Sequence, residues 1–396
     1  MKRAFFLVAA IATLTALPLA AQASPSATPT KVSCGQTLTK STTLANDLVD
    51  CRGTGLIIGV ANITVDLNGH TIDGTNHKEG ISNQKRANVT IVNGTISDFH
   101  SAGVNVFGAR GLVLRKLTVR KIGAGCRQTD ICAGLFLMNS PRATITDNDV
   151  SNQVQAFQVN GIDVYASPGG RVRRNRFDRN SGQGIAVFQS PGTRVIGNEL
   201  DGNKQIGLHA NADSDSILIS DNRARGNRNA GLAVGAMRGA TVVGNVVSGN
   251  GEAGLLLFDI RDSLIRRNRA SGNFNGIVLY GGQAGVAQYG GRHGARHNQL
   301  AGNKATKNTR VGILVRGDSR TEASDNNALS GNVANGNGRA GGMVVEGSAR
   351  GNRLRGNTAN ANAGHGITAA RGTIDGGGNR AHRNRRSPQC VGVRCS

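Results

Sequence analysis

A glycine followed by an apolar-x-apolar triplet recurs along almost the whole chain, and its spacing limits what the chain can fold into. It reads Gly161-Ile-Asp-Val, Gly184-Ile-Ala-Val, Gly207-Leu-His-Ala, Gly231-Leu-Ala-Val, Gly254-Leu-Leu-Leu and Gly276-Ile-Val-Leu, at steps of 22 to 24 residues. Further copies start at Gly80, Gly103 and Gly134 upstream and at Gly312, Gly342 and Gly366 downstream, with a first turn at Gly55-Leu-Ile-Ile. The longer steps, from 103 to 161 and from 276 to 342, are repeats that carry an inserted loop. Each repeat is a unit that buries its apolar face only against its neighbours, so the period dictates a stack.

A second marker travels in phase. Asn175, Asn198, Asn222, Asn245, Asn268, Asn298, Asn327 and Asn352 each precede another Asn by five residues, and an apolar or small side chain follows two residues after each. On this reading Asn298 continues the column of Asn268, and Asn303 the column of Asn273. The apolar segments are short and alternate in polarity, which is strand behaviour. No helical period is sustained after the first two dozen residues. Asn tolerates left-handed corners and can bond to the Asn above and below, and the 57 glycines supply further corners of that kind. The expectation is a parallel β-coil of 12 to 13 rungs, about 60 Å long at ~4.8 Å per rung.

The opening Cys34-Gly-Gln-Thr, Asn46-Asp-Leu-Val-Asp-Cys51 and Asp66-Leu-Asn-Gly-His-Thr-Ile72, together with the repeats, resemble secreted bacterial right-handed parallel β-helix proteins of the pectin-lyase-like superfamily. The resemblance covers roughly residues 32 to 380 and implies an all-β, right-handed parallel β-helix. It implies little about activity, because this fold carries lyases, hydrolases, epimerases and adhesins. Mannuronan epimerases of similar fold carry Asp-Pro-His-Asp, whereas the nearest stretch here is Asp163-Val-Tyr-Ala. The Gly-His-Gly of polygalacturonases is matched by Gly364-His365-Gly366, but paired aspartates are missing from the preceding rung. Periplasmic copper-site maturation proteins share similar repeats, but Met- or His-rich ligand sets are absent.

Lys2 and Arg3, the apolar run from Ala4 to Ala20 and Ala21-Gln-Ala23 form a signal peptide over 1–23. The expected layout continues with a disordered leader at 24–31, a cap at 32–54, the β-helix at 55–380 and a disulfide-closed tail at 381–396. No later stretch is long and apolar enough to span a membrane, so the mature chain is expected to be secreted or periplasmic. Six cysteines in an exported chain suggest disulfides, and nearness in sequence favours Cys34 with Cys51, Cys126 with Cys132 and Cys390 with Cys395, one among the pairings open to six cysteines. The net charge is +23. Such a field favours a polyanion, here acidic polysaccharide or another cell-envelope polyanion, and export argues against nucleic acid as the physiological partner. No cofactor is expected; calcium would need an acidic cluster that the sequence does not offer.

Counted from the repeat glycine as zero, positions one and three should point inward and positions two and four outward. Position four reads Phe107, Met138, Tyr165, Phe188, Asn211, Gly235, Phe258, Tyr280, Arg316 and Glu346; position two adds Asn105, Phe136, Asp163 and His209. Of ten Phe and three Tyr in the chain, two lie in the signal and five fall in the position-four column. Aromatic rings bordered by cations and amides suit sugar binding, since the apolar ring face stacks while charge holds carboxylates. The substrate-binding candidates are therefore Phe107, Phe136, Phe188, Asn211, Phe258, Tyr280 and Arg316. The catalytic candidates are Asp163, Tyr165 and His209, with a turn arginine such as Arg238 for charge neutralisation. They would serve a uronate lyase or C5-epimerase, which needs a base, an acid and cations beside the carboxylate. The alternative is a non-catalytic surface or adhesion rod. Ser140-Pro, Ser167-Pro and Ser190-Pro mark a regular wall beside the sheet, and the insertion at 281–294, with Tyr289, Arg292 and His293, is placed to fold over it.

Overall fold

The computed structural model describes residues 28–127, 130, 132–153, 158–281, 294–317 and 324–396. The signal peptide and the insertion bearing Tyr289, Arg292 and His293 lie outside the described residues. Among those described there is no helix. The repeat triplets form one fifteen-stranded sheet running from Gln36–Leu38 to Cys390–Val391. Neighbouring strands are parallel and in register, as in Val104 with Leu135, Leu135 with Ile162, and Ile162 with Ile185. The coil therefore has about fourteen turns rather than 12 to 13, because a strand without the full motif is added at each end. Fifteen strands at ~4.8 Å give a rod of about 65 Å. Two further faces of shorter strands, such as Arg194–Ile196 and Arg223–Arg225, complete each turn.

The interior is built from columns of like residues. Position one supplies Val104, Leu135, Ile162, Ile185, Leu208, Leu232, Leu255 and Ile277, all fully buried, and position three supplies Val106, Leu137, Val187, Val234, Leu257 and Leu279. The repeat glycine also faces inward: a Cβ on Gly207 would stand 2.6 Å from the Gly231 carbonyl and 2.9 Å from Asn227 Nδ2. That crowding is why glycine recurs there, although its φ is ordinary.

The corners are held by amide ladders. Asn198 Oδ1 accepts both the backbone N–H and the Nδ2–H of Asn175 at 3.0 Å, and Asn175 Nδ2 also donates to the Ile145 carbonyl at 2.9 Å. The pattern repeats from Asn148 through Asn222, Asn245 and Asn268, and then passes to Asn303, Asn332, Asn357 and Asn379. A second ladder runs from Gln153 and Asn180 through Asn273 to Asn308, Asn337, Asn362 and Asn384. Asn298, Asn327 and Asn352 belong to neither and form their own. The sequence phasing that put Asn298 above Asn268 is therefore wrong by five residues. The later rungs have three corner asparagines at five-residue spacing, and Leu300 pairs with Ile265 rather than with Ala270. The serines before the prolines are a fourth column, fully buried rather than a wall: Ser140 N–H donates to Ser167 Oγ, and Ser167 N–H to Ser190 Oγ, both at 2.9 Å.

Both ends depart from the expected layout. Thr30 already bridges to Leu44, so the last residues of 24–31 are part of the stack. At the other end Cys390–Val391 pairs with Ile367–Ala369, so the tail at 381–396 adds a strand to the coil. Disulfides join Cys34 to Cys51, Cys126 to Cys132 and Cys390 to Cys395. Three disulfides fit an oxidising, extracellular or periplasmic setting.

Candidate functional site

The outward columns of the glycine-bearing sheet are in register. Phe107, Met138, Tyr165, Phe188 and Asn211 stack in one, continued by Gly235 with Phe258, Tyr280 and Arg316. Asn105, Phe136, Asp163, Ala186, His209, Ala233, Leu256, Val278 and Leu314 stack in the other. The residue before the repeat glycine also faces outward and gives a third column, including Asn160 and Asn275.

Two candidates are not exposed as expected. Asn211 is buried, and its Oδ1 accepts the N–H of Ala212 at 2.7 Å, so the amide serves its own turn. Phe258 is also buried, because Gly235 leaves a vacancy in the column and the Phe258 ring lies over it; a Cβ on Gly235 would collide with that ring. Phe107, Phe136, Phe188 and Tyr280 are partly exposed, and Tyr165 and Arg316 are exposed.

A concavity on this face lies C-terminal to the catalytic candidates. It is a cavity of about 220 Å³ lined by Leu256, Phe258, Val278, Tyr280, Leu314 and Arg316, with Glu252, Ala253, Asn275 and Arg310. Leu256, Val278 and Leu314 make an apolar floor. On one side the Arg316 guanidinium sits 5.6 Å from the centre of the Tyr280 ring and 3.4 Å from Glu346. On the other, Arg310 Nη1 donates to Asn275 Oδ1 at 3.3 Å. The groove thus has an apolar bottom and a cation on each side.

Asp163 and His209 lie two rungs apart with Ala186 between them, about 9–10 Å at ~4.8 Å per rung, and do not touch. Asp163 Oδ1 accepts from Asn160 Nδ2 at 2.7 Å. Burial pushes its carboxyl up to about 7, against the lowering effect of that bond. The His209 ring meets Phe188 edge-on at 5.1 Å and Phe258 at 6.3 Å. Its Nδ1 is shielded from solvent and has no hydrogen-bond partner among the described residues, and the same holds for Gln183 Oε1. Burial holds the imidazole down at about 4, so it is neutral at pH 7. Tyr165 shares the strand Asn160–Tyr165 with Asp163. Arg238 lies away from this group, paired with Asp262 at 2.8 Å. His365, of the Gly-His-Gly stretch, donates from Nδ1 to the Pro388 carbonyl at 2.8 Å and so ties down the tail.

Sequence reasoning missed Asn160, Gln183, Glu252, Asn275 and Arg310. All lie one or two residues before a repeat glycine, a position whose outward direction follows only once the glycine is known to face inward.

Two family profiles match: "Right handed beta helix region" over residues 124–223 and "Periplasmic copper-binding protein (NosD)" over 210–323. The described residues of the second match do not assemble a copper site. Among the described residues no three His, Cys, Asp or Glu side chains converge, the cysteines are paired in disulfides, and Met237 and Met343 are in the core. No curated protein matches the sequence. Solved structures of similar fold include PfbA, a surface adhesin of Streptococcus pneumoniae (TM-score 0.59, 13% identity, 78% of this chain and 85% of that one). Others are the GH87 alpha-1,3-glucanase catalytic unit of Streptomyces thermodiastaticus (0.55, 14%, 82% and 64%) and the periplasmic alginate epimerase AlgG (0.51, 16%, 84% and 76%). The chain spans 61% of the length of another, the Dettilon tailspike protein. At such identities the likeness is one of fold. The in-register parallel stack, the profile matches and these likenesses together make the fold of the chain a right-handed parallel β-helix.

Proposed function

We propose that the glycine-bearing sheet binds an acidic polysaccharide, with the groove between Tyr280 and Arg310 as its principal subsite. The observation that carries this reading is Arg316 stacked over Tyr280 beside an apolar floor, with Arg310 across the groove. A pyranose ring needs an apolar platform for its C–H face, and a uronate carboxylate needs a guanidinium within reach. The likeness in fold to an alpha-1,3-glucanase and to an alginate epimerase supports a polysaccharide ligand. The test is calorimetric titration with polygalacturonate, alginate and hyaluronate. Tyr280→Ala and Arg316→Ser should each weaken binding at least tenfold, while Phe107→Ala, far along the sheet, changes it little. Equal affinity in all three variants would remove the groove from the reading.

The orphaned His209 Nδ1 favours a second element of the proposal, turnover by a uronate lyase or epimerase. A sugar ring lying across this stretch of the sheet would have a neutral imidazole able to take a proton toward one side and the Asp163 carboxyl toward the other, with Tyr165 beside it. Proton NMR of the same polymers after incubation should then show unsaturated-uronate or new anomeric signals, lost in His209→Ala. Unchanged spectra, with calcium added as well, would leave the non-catalytic surface rod as the reading.

A further inference from the structure

Only some arginines of this chain have an acidic partner among the described residues. Some in the middle turns are paired with an acid of the same or the neighbouring rung: Arg174 with Asp147 at 2.7 Å, Arg176 with Asp178 at 2.6 Å, and Arg223 with Glu199 and Arg225 with Asp201, each at 2.8 Å. The arginines of the last turns are not among those paired. Residues 339–396 carry ten arginines against two acids, Glu346 and Asp375. Glu346 is engaged with Arg316, and Asp375 accepts backbone N–H groups of Gly377 and Arg394. All ten arginines are exposed, and among the described residues none of their side chains has an acidic partner within ion-pair distance.

Their placement is as informative as their number. Arg350 and Arg371 follow the strands of the glycine-bearing sheet. Arg353 and Arg355 flank Leu354 on the next face. Arg380 bridges to Thr358 on the third, and Arg383, Arg385 and Arg386 follow at the corner leading back to the first sheet. The arginines therefore encircle the blunt C-terminal end. A linear polymer can lie along only one of these faces at a time. A flat anionic surface met end-on reaches the rim from every side at once.

We propose that the C-terminal end of the rod docks onto a phosphate-bearing lipid surface through this arginine belt. Guanidinium groups take phosphate oxygens two at a time, which suits them better than lysine to such a surface. Basic residues close to an anionic leaflet add their attractions within a Debye length, so several on one rim act together. The belt begins on the rung next to the sugar groove, whose last strand pairs with Gly341–Val345, but it encircles the rod, whereas the groove opens on one side.

The experiment is sedimentation of the full mature chain with vesicles of phosphatidylcholine, with and without phosphatidylglycerol, at physiological salt. The chain should bind only the phosphatidylglycerol vesicles. Replacing Arg380, Arg383, Arg385 and Arg386 together by Ser should weaken that binding at least tenfold. The matching change of Arg110, Arg115, Arg120 and Arg127, exposed near the other end, should leave it within about twofold, and so should Tyr280→Ala. Equal losses at the two ends would show attraction by net charge alone and overturn the proposal. It would also fall if the native chain ignores the anionic vesicles. A third contrary result is that the C-terminal changes spare vesicle binding but abolish binding of polygalacturonate, since the belt would then be a polysaccharide contact. Unchanged circular dichroism melting of both variants separates these outcomes from misfolding.

Discussion

At the scale of single residues, the two titratable groups of the outer sheet are poised in opposite senses. Asp163 holds its proton more tightly in the fold than its ordinary value near 3.8 would allow. Its contribution to stability is therefore complete below pH 3.8 and is lost as pH rises through about 7. His209 is depressed from 6.5, so its contribution is present above pH 6.5 and is lost as pH falls through about 4. Between about pH 4 and 6.5 the two slopes oppose and largely cancel. Removing either partner should expose the other. His209→Ala should give a protein whose guanidinium midpoint falls as pH rises across this window, and Asp163→Asn one whose midpoint rises. Each change should be on the order of 3 kcal/mol. A flat profile in both variants would mean that neither group is shielded as the fold implies.

Within one rung, the glycines separate into two kinds with different tolerances. Gly207 faces inward against the Gly231 carbonyl, and no flexible side chain can yield there. Gly207→Ala should cost roughly 3 kcal/mol or more, because backbone of the next rung must move. Gly197 lies at φ +64° with open space around it, so Gly197→Ala should cost only about 1 kcal/mol, the strain of a left-handed alanine. Urea midpoints of the two variants check this, and a Gly197 change as costly as the Gly207 one would contradict it. The same distinction explains what could be read from the sequence. The period, the inward columns and the register of the outer columns follow from spacing, since stacked rungs repeat their chemistry. The break in phase after the 282–293 insertion could not be read, because Asn298, Asn303 and Asn308 are equally spaced and any of them could continue an earlier ladder. Nor could the folding-over of Phe258, which depends on the missing side chain of Gly235 one rung away. The groove was half legible: Tyr280 and Arg316 stood out in their column, while Arg310 and Asn275 preceded the glycine where no direction had been assigned.

Across the whole molecule, stability is a chain of nearest-neighbour contacts, so the ends matter more than in a globule. Among the described residues Gln36–Leu38 and Cys390–Val391 are the outermost strands of the sheet, and each presents one edge without a partner strand. Open parallel edges are templates for another chain. A disulfide stands at each end, and the C-terminal one adjoins a cap. Gln389 Oε1 accepts both the N–H and the Nδ2–H of Asn384 at 2.8 Å, standing in for the next asparagine of its ladder. Cys390, the next residue, is tied to Cys395. Reduction should therefore loosen the termini without melting the middle. Amide exchange should quicken over residues 28–60 and 380–396 while the turns from Gly161 to Gly254 keep their protection. Sedimentation should show concentration-dependent association of the freed edges, end to end. Loss of protection along the whole rod on reduction would instead mean that the turns unfold as a single unit, and that the end disulfides secure all of them rather than the edges alone.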